Sequence, residues 1–134
     1  MRHAFQDLPG DVGPPRPVVD VTLRGLSSRG RSCLLDTGAS DIRMSAEIAA
    51  AAGIELTDDL LKTIVVAGVT LTARGETVAL SVQTVDGPYE WAPTVYFCER
   101  WPFSFGLLGL GGLHPFVITV CPYEEWSEIA ALAL

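Results

Sequence analysis

Apolar and polar residues alternate along most of the chain, and this two-residue period predicts strands. Val18-Val19-Asp20-Val21-Thr22-Leu23 is the first such run, and the Ser-, Gly- and Arg-rich residues 25–30 form the turn into a second at 31–35. Asp41-Ile42-Arg43-Met44 reads as a short extended piece. Ser45 is a good helix N-cap, with Glu47 in the first turn where the helix dipole favours a carboxylate. Residues 46–52 then form an alanine-rich helix stopped by Gly53. β-Branched runs at 62–67 and 69–74 flank Gly68 and predict a hairpin. Gly75-Glu76 predicts a bend before a strand at 77–84, and Asp86-Gly87-Pro88 a turn before a strand at 89–97. Pro93 restricts the middle of that last strand to an edge or a bulge.

Further on, apolar residues alternate with glycines through 105–113, so backbone must pass close to other backbone there. Residues 116–120 predict the next strand, which Pro122 breaks. Trp126, Ile129 and Leu132 at i, i+3, i+6 then predict a C-terminal helix within 123–134, its stripe a docking surface. Residues 1–17 hold four of the nine prolines and no periodicity, which predicts a mobile arm. The sum is a mostly β chain with one or two short helices.

A length of 134 residues fits one domain, and 49% hydrophobic residues suffice for a core. The net charge of −7, with Lys62 the single lysine, argues against nucleic acid or an anionic membrane surface as partner. Cys33, Cys98 and Cys121 are odd in number and widely spaced, with no CxxC or Cys/His cluster, which argues against a disulfide framework or a zinc site. His3 and His114 are too few for a histidine-rich metal site, and no metal or cofactor is expected. Arg2 is followed by no apolar h-region, so no signal peptide is read and a cytoplasmic location is expected. Residues 103–120 are strongly apolar, but four glycines, His114 and Pro115 interrupt them, so they read as core rather than a membrane span.

The densest chemistry lies in Cys33-Leu34-Leu35-Asp36-Thr37-Gly38-Ala39-Ser40. Leu34 and Leu35 end a buried strand, so Asp36 emerges at the edge of a low-dielectric core. Gly38 permits a sharp turn that brings backbone N–H groups to the carboxylate. Thr37 offers a short hydroxyl suited to hydrogen bonding across a tight interface. Asp-Thr-Gly alone is commonly a structural turn. The apolar lead-in, the Ala-Ser that follows and the later Leu107-Leu108-Gly109 set this copy apart.

With these elements in this order, residues 16–121 resemble a retropepsin-like aspartic protease domain of the bacterial subgroup. Arg16-Pro17-Val18 through Ser40 is similar to its first half, 62–82 to its flap hairpin with Gly68 near the tip, and Leu107-Leu108-Gly109 to the element that threads beside the catalytic loop. The resemblance implies a closed, β-barrel-like acid-protease domain over 16–121, and the pattern on either side leaves a flexible N-terminal arm at 1–15 and a C-terminal helical extension at 122–134. It implies Asp36, Thr37 and Gly38 as the catalytic loop, and Ala39, Ser40, Asp41, Ala67 and Gly68 as substrate contacts. Asp41 has a solvated or structural role as its equal alternative, and His114 reads as structural. Leu110-Gly111 stands where many members carry a polar or charged pair, and the hairpin tip has fewer glycines than viral members and no tyrosine.

Such a protease activates water with two carboxylates that share one proton. This chain has one Asp-Thr-Gly, and Val85-Asp86-Gly87 lacks the hydroxyl residue. A twofold homodimer placing Asp36 opposite Asp36, acting on a peptide or protein substrate, is the economical reading. The competing class is a catalytically inactive module of the same fold that serves dimerisation or peptide binding. A phosphorylated-aspartate ATPase would need Asp-Lys-Thr-Gly, and a phosphate loop at 106–112 would need Lys-Ser/Thr; neither is present.

Overall fold

The computed structural model describes residues 1–8, 10, 13–26 and 30–132. In chain order its elements are β1 (His3–Ala4), β2 (Val18–Leu23), β3 (Arg31–Leu35), β4 (Ile42–Ser45), α1 (Ala46–Ala51), β5 (Leu61–Val66) and β6 (Val69–Thr77). They continue with β7 (Leu80–Thr84), β8 (Gly87–Trp91), β9 (Thr94–Cys98), β10 (Gly106–Leu108), a 3-10 turn (Leu110–Gly112), β11 (Phe116–Cys121) and β12 (Trp126–Ala131). The chain is mostly β with one short helix, as its alternation predicts. Ser45 caps that helix, its Oγ accepting from Glu47 N–H at 3.2 Å.

Nine strands form one sheet in the order β5-β6-β9-β4-β10-β3-β2-β7-β8, and β1-β12-β11 form a second. The larger sheet ends in β5 on one side and β8 on the other, so it is not the closed barrel expected from the sequence. Its centre is unusual in direction. β10 lies parallel to β3 and antiparallel to β4, inserted between two strands close together in sequence. Val19, Val21, Ile42, Met44, Phe97 and Leu108 are all at most 1% exposed and form the heart of the core. At about 1.5–3 kcal/mol for each large apolar side chain buried, this cluster is the main force holding the central strands. A smaller cluster of Ile64, Val66, Leu71, Ala73 and Cys98 lies under the β5–β6 hairpin. Burial pushes the Cys33 thiol up to about 12 and the Cys98 thiol to about 11, keeping both neutral, and the three cysteines are free.

The pattern misleads in four places, each for a physical reason. The expected C-terminal helix is a strand: β12 pairs with β11 from Cys121↔Trp126 to Phe116↔Ala131. Ser127 and Ile129, both fully buried, set a two-residue period that the three-residue spacing of Trp126, Ile129 and Leu132 concealed. Residues 133–134 of that expected helix lie outside the described residues, as do 27–29 of the turn before β3. Gly75 does not bend the chain; β6 runs through it, pairing with β5 and then with β9. A Cβ at Gly75 would sit 2.9 Å from the Tyr96 ring, so the glycine serves close packing. The expected strand at 89–97 is two strands, because Pro93 lacks the N–H a continuous ladder needs. The leader is tied down as well. β1 pairs with β12, Gln6 and Arg16 exchange backbone hydrogen bonds of 3.0 and 2.9 Å, and Arg2 sits over the Trp126 ring while bonding Glu128.

One defect in the core gives a direct test. Ser127 Oγ is buried and has no hydrogen-bond partner among the described residues. A desolvated, unpaired hydroxyl costs stability, so Ser127→Ala is expected to raise the unfolding free energy by about 1 kcal/mol in urea titration. A lowered midpoint would show that the hydroxyl is hydrogen-bonded in solution.

Candidate active site

The apolar end of β3 delivers Asp36 to the surface with its backbone fixed from both sides. Leu35 N–H donates to Pro17 O at 2.9 Å, and Asp36 N–H donates to Leu108 O at 3.1 Å. Beyond this point the chain turns on itself. Asp36 Oδ1 accepts from Gly38 N–H at 2.9 Å, and Asp36 O accepts from Ala39 N–H at 3.2 Å. The first of these is a charge-assisted bond that orients the carboxylate. Oδ2 accepts no hydrogen bond among the described residues, and the side chain is half-buried.

The glycine-rich segment after β10 holds the rest of the loop. Gly109, Leu110 and Gly111 N–H donate to the carbonyls of Asp41, Ala39 and Ser40 at 3.1, 3.0 and 2.8 Å. A Cβ on Gly109 would overlap the backbone of both Ala39 and Asp41, and one on Gly111 would overlap Ser40 O. This is the close backbone approach that the alternating glycines announce. Trp91 Nε1 donates to Gly112 O at 2.8 Å, and Phe116 packs edge-on against Trp91 at 4.8 Å, which anchors the segment in the core.

Asp36, Gly38 and Ala39 face a cleft of about 810 Å³. The tip of the β5–β6 hairpin supplies Val65, Val66 and Ala67 to its wall, with Phe103, Phe105 and Leu107 among the other lining residues. Ala67 and Gly68 have φ of +51° and +78°, and Val66 pairs with Val69. Positive φ at both central residues is the type I′ hairpin condition, met here without the Asn-Gly pair that usually signals it.

The residues singled out from the sequence separate into groups. Asp36, Gly38, Ala39 and Ala67 line the cleft, whereas Thr37, Ser40, Asp41 and Gly68 do not. Thr37 and Gly38 are exposed, and Thr37 makes no side-chain hydrogen bond among the described residues. The Asp41 carboxylate is engaged elsewhere: Lys62 Nζ donates to its Oδ2 at 2.6 Å and Ser40 Oγ at 3.3 Å. With Tyr96 and His114 it lines a separate depression of about 320 Å³. Reading the sequence missed Leu8, Arg16 and Arg43 as cleft residues. Arg43 carried a signal, a charge between two core positions of a strand. Leu8, only 4% exposed, carried none, since it sits in the proline-rich leader.

No protein-family model matches the chain, and comparison with curated proteins finds no match. Solved structures do match it. A retropepsin-like aspartic protease from Rickettsia conorii superposes with a TM-score of 0.62 over 97% of this chain and 98% of that one, at 18% identity. A Legionella pneumophila protein of unknown function covers 74% of this chain and 84% of its own at 17% identity, but its TM-score of 0.30 carries no argument. The first likeness, at that identity, shows the fold: the chain is similar to a retropepsin-like protease in architecture. No helix among the described residues is long and apolar enough to cross a membrane.

The contact between glycine segment and loop predicts a sharp response to one methyl group. Gly109→Ala is expected to lower stability by about 1–3 kcal/mol through overpacking, with the largest loss of amide-exchange protection at Leu110 and Gly111. Unchanged exchange at those amides would mean the loop is held by something else.

Proposed function

We propose that the chain is an aspartic endopeptidase whose catalytic dyad is assembled from two Asp36 carboxylates across a twofold homodimer. The observation that supports this best is the setting of Asp36, the one acidic residue among the described residues on the wall of an 810 Å³ cleft, oriented by Gly38 N–H and facing a hairpin tip. One carboxylate in such a site is half of a proton-sharing pair. Two carboxylates held in contact share one proton, because they resist ionising together. The ionised member takes a proton from water as the oxygen attacks the scissile carbonyl. The protonated member gives its proton to the carbonyl oxygen, and collapse of the tetrahedral species transfers a proton to the leaving amine.

The surroundings fit this division of labour. The exposed Thr37 hydroxyl is free to bond across the twofold axis, and Gly38 keeps the loop low enough for a second copy to approach. The β5–β6 hairpin is the flap in this reading, closing over an extended peptide and excluding water. A non-catalytic dimerisation or peptide-binding module of the same fold is the second reading. It is favoured by Leu110, which is 58% exposed beside the loop where many members of the resembled family carry a polar or charged pair.

Asp36→Asn separates the two readings. The amide oxygen still accepts from Gly38 N–H, so the urea midpoint should hold while peptide cleavage falls by at least a thousandfold. Residual activity within a few-fold of the unmodified protein would remove Asp36 from the mechanism, and sedimentation showing an active monomer would remove the shared dyad.

The rate should also rise and fall with pH on the acid side of neutrality, since the dyad works only with one proton bound. Below that window the base is protonated; above it the donor is lost. Activity that climbs steadily into the alkaline range, or disappears with EDTA, would overturn the mechanism.

A further inference from the structure

Arg43 stands out among the cleft residues because its charge is not fully answered. It sits in β4 between Ile42 and Met44, both fully buried, so strand alternation turns its side chain away from that core and onto the cleft wall. The side chain is only 14% exposed. A guanidinium so enclosed needs a counter-charge and filled hydrogen bonds to be stable. Its counter-ion is Asp41, at 3.6 Å from Nη2, beyond hydrogen-bond length. Asp41 is the closer partner of Lys62, at 2.6 Å, so two cations share one carboxylate. Lys62 is held there by the Tyr96 ring, 3.9 Å from Nζ. Arg43 Nε is buried with no hydrogen-bond partner among the described residues. The group of Arg43, Lys62 and Asp41 therefore carries one positive charge more than negative.

We infer that Arg43 makes the cleft selective for peptides with an acidic side chain beside the scissile bond. The inference rests on the peptidase reading of the same site and names its substrate class. Arg43 shares the cleft with Asp36, so a carboxylate paired with it belongs to a residue close to the bond being cut. The planar fork of Arg suits a carboxylate better than a point charge would. Leu34, Val66, Phe103, Phe105 and Leu107 give the same wall an apolar stretch, which strengthens a charge pair formed against it and accepts apolar neighbours in the peptide.

The test compares kcat/KM for matched peptides that differ only by Glu or Gln at each position flanking the cleaved bond. The unmodified protein is expected to favour Glu at one position by roughly tenfold or more, mainly through KM, as for a hydrogen bond to a charged group. Arg43→Met should bring that ratio to near one while cleavage of the Gln peptide persists, and Arg43→Lys should keep part of it. Lys62→Gln, which leaves Asp41 to Arg43 alone, should also lower the ratio, and it guards against misfolding of the Arg43 variants. Cleavage of both peptides at equal rates would overturn this inference and leave the peptidase reading intact. If neither is cleaved, calorimetry of the same pair on the Asp36→Asn protein decides. Tighter binding of the Glu peptide supports the selective cleft without catalysis, and equal or absent binding overturns it.

Discussion

Backbone packed directly on backbone, with no room for a side chain between, is the constraint on which the site depends. Consecutive N–H groups of Gly109, Leu110 and Gly111 meet the carbonyls of Asp41, Ala39 and Ser40, and this contact exists because two of the three donors carry no Cβ. Everything upstream serves to bring the two segments together. β10 must lie between β3 and β4, its register must set Leu108 beside Leu35, and the core under Ile42, Met44 and Leu108 must hold that register. A slip of one residue would reverse which side chains face the core. The position of Asp36 is thus a property of the whole central sheet, not of its own short turn.

Charge is distributed with similar economy. The chain is acidic overall, yet among the described residues the cleft wall holds one carboxylate and two arginines, and the single lysine stands behind them against Asp41. Asp41 anchors Lys62, and Lys62 in turn keeps Asp41 from fully neutralising Arg43. A residue expected to touch substrate therefore acts, in this arrangement, by setting the charge of a neighbour that does line the cleft. The exposed Thr37 and Gly38 are left facing outward, where a second copy of the loop completes the proposed dyad.

How much of this was legible follows from the range of each interaction. The strands at 18–23 and 31–35, the Ser45-capped helix and the hairpin around Gly68 are written in local alternation and capping, and they appear nearly where the residues put them. Asp36, Gly38, Ala39 and Ala67 stand out in the sequence, and line the cleft, because an apolar run ending in Asp-Thr-Gly, and a hairpin tip, are local signals with chemical content. The glycines at 106–112 announced close packing but not against what. Arg43 was passed over because a charge within a strand points to a special environment only once the neighbouring strands are known. The tail satisfies a helical and a strand period together because Ser127 is small enough to take a core position beside Ile129, and pairing with β11 decides between them. The open ends of the large sheet depend on strand order, which no local pattern records.

The insertion of β10 beside β3 also sets when the site comes into being. Asp36 belongs to the first third of the chain, whereas the donors that hold its loop belong to the last. Contacts between such distant segments form late, after the loop between them has closed. During synthesis the carboxylate emerges early on a segment with only one of its two flanking strands in place, since β2 is made and β10 is not. A nascent chain therefore carries the Asp36 carboxylate without the contacts that hold its loop. Topology works here as a delay line: the cleft around Asp36 is complete only when the segment through Leu113 has been made and has folded back between its predecessors.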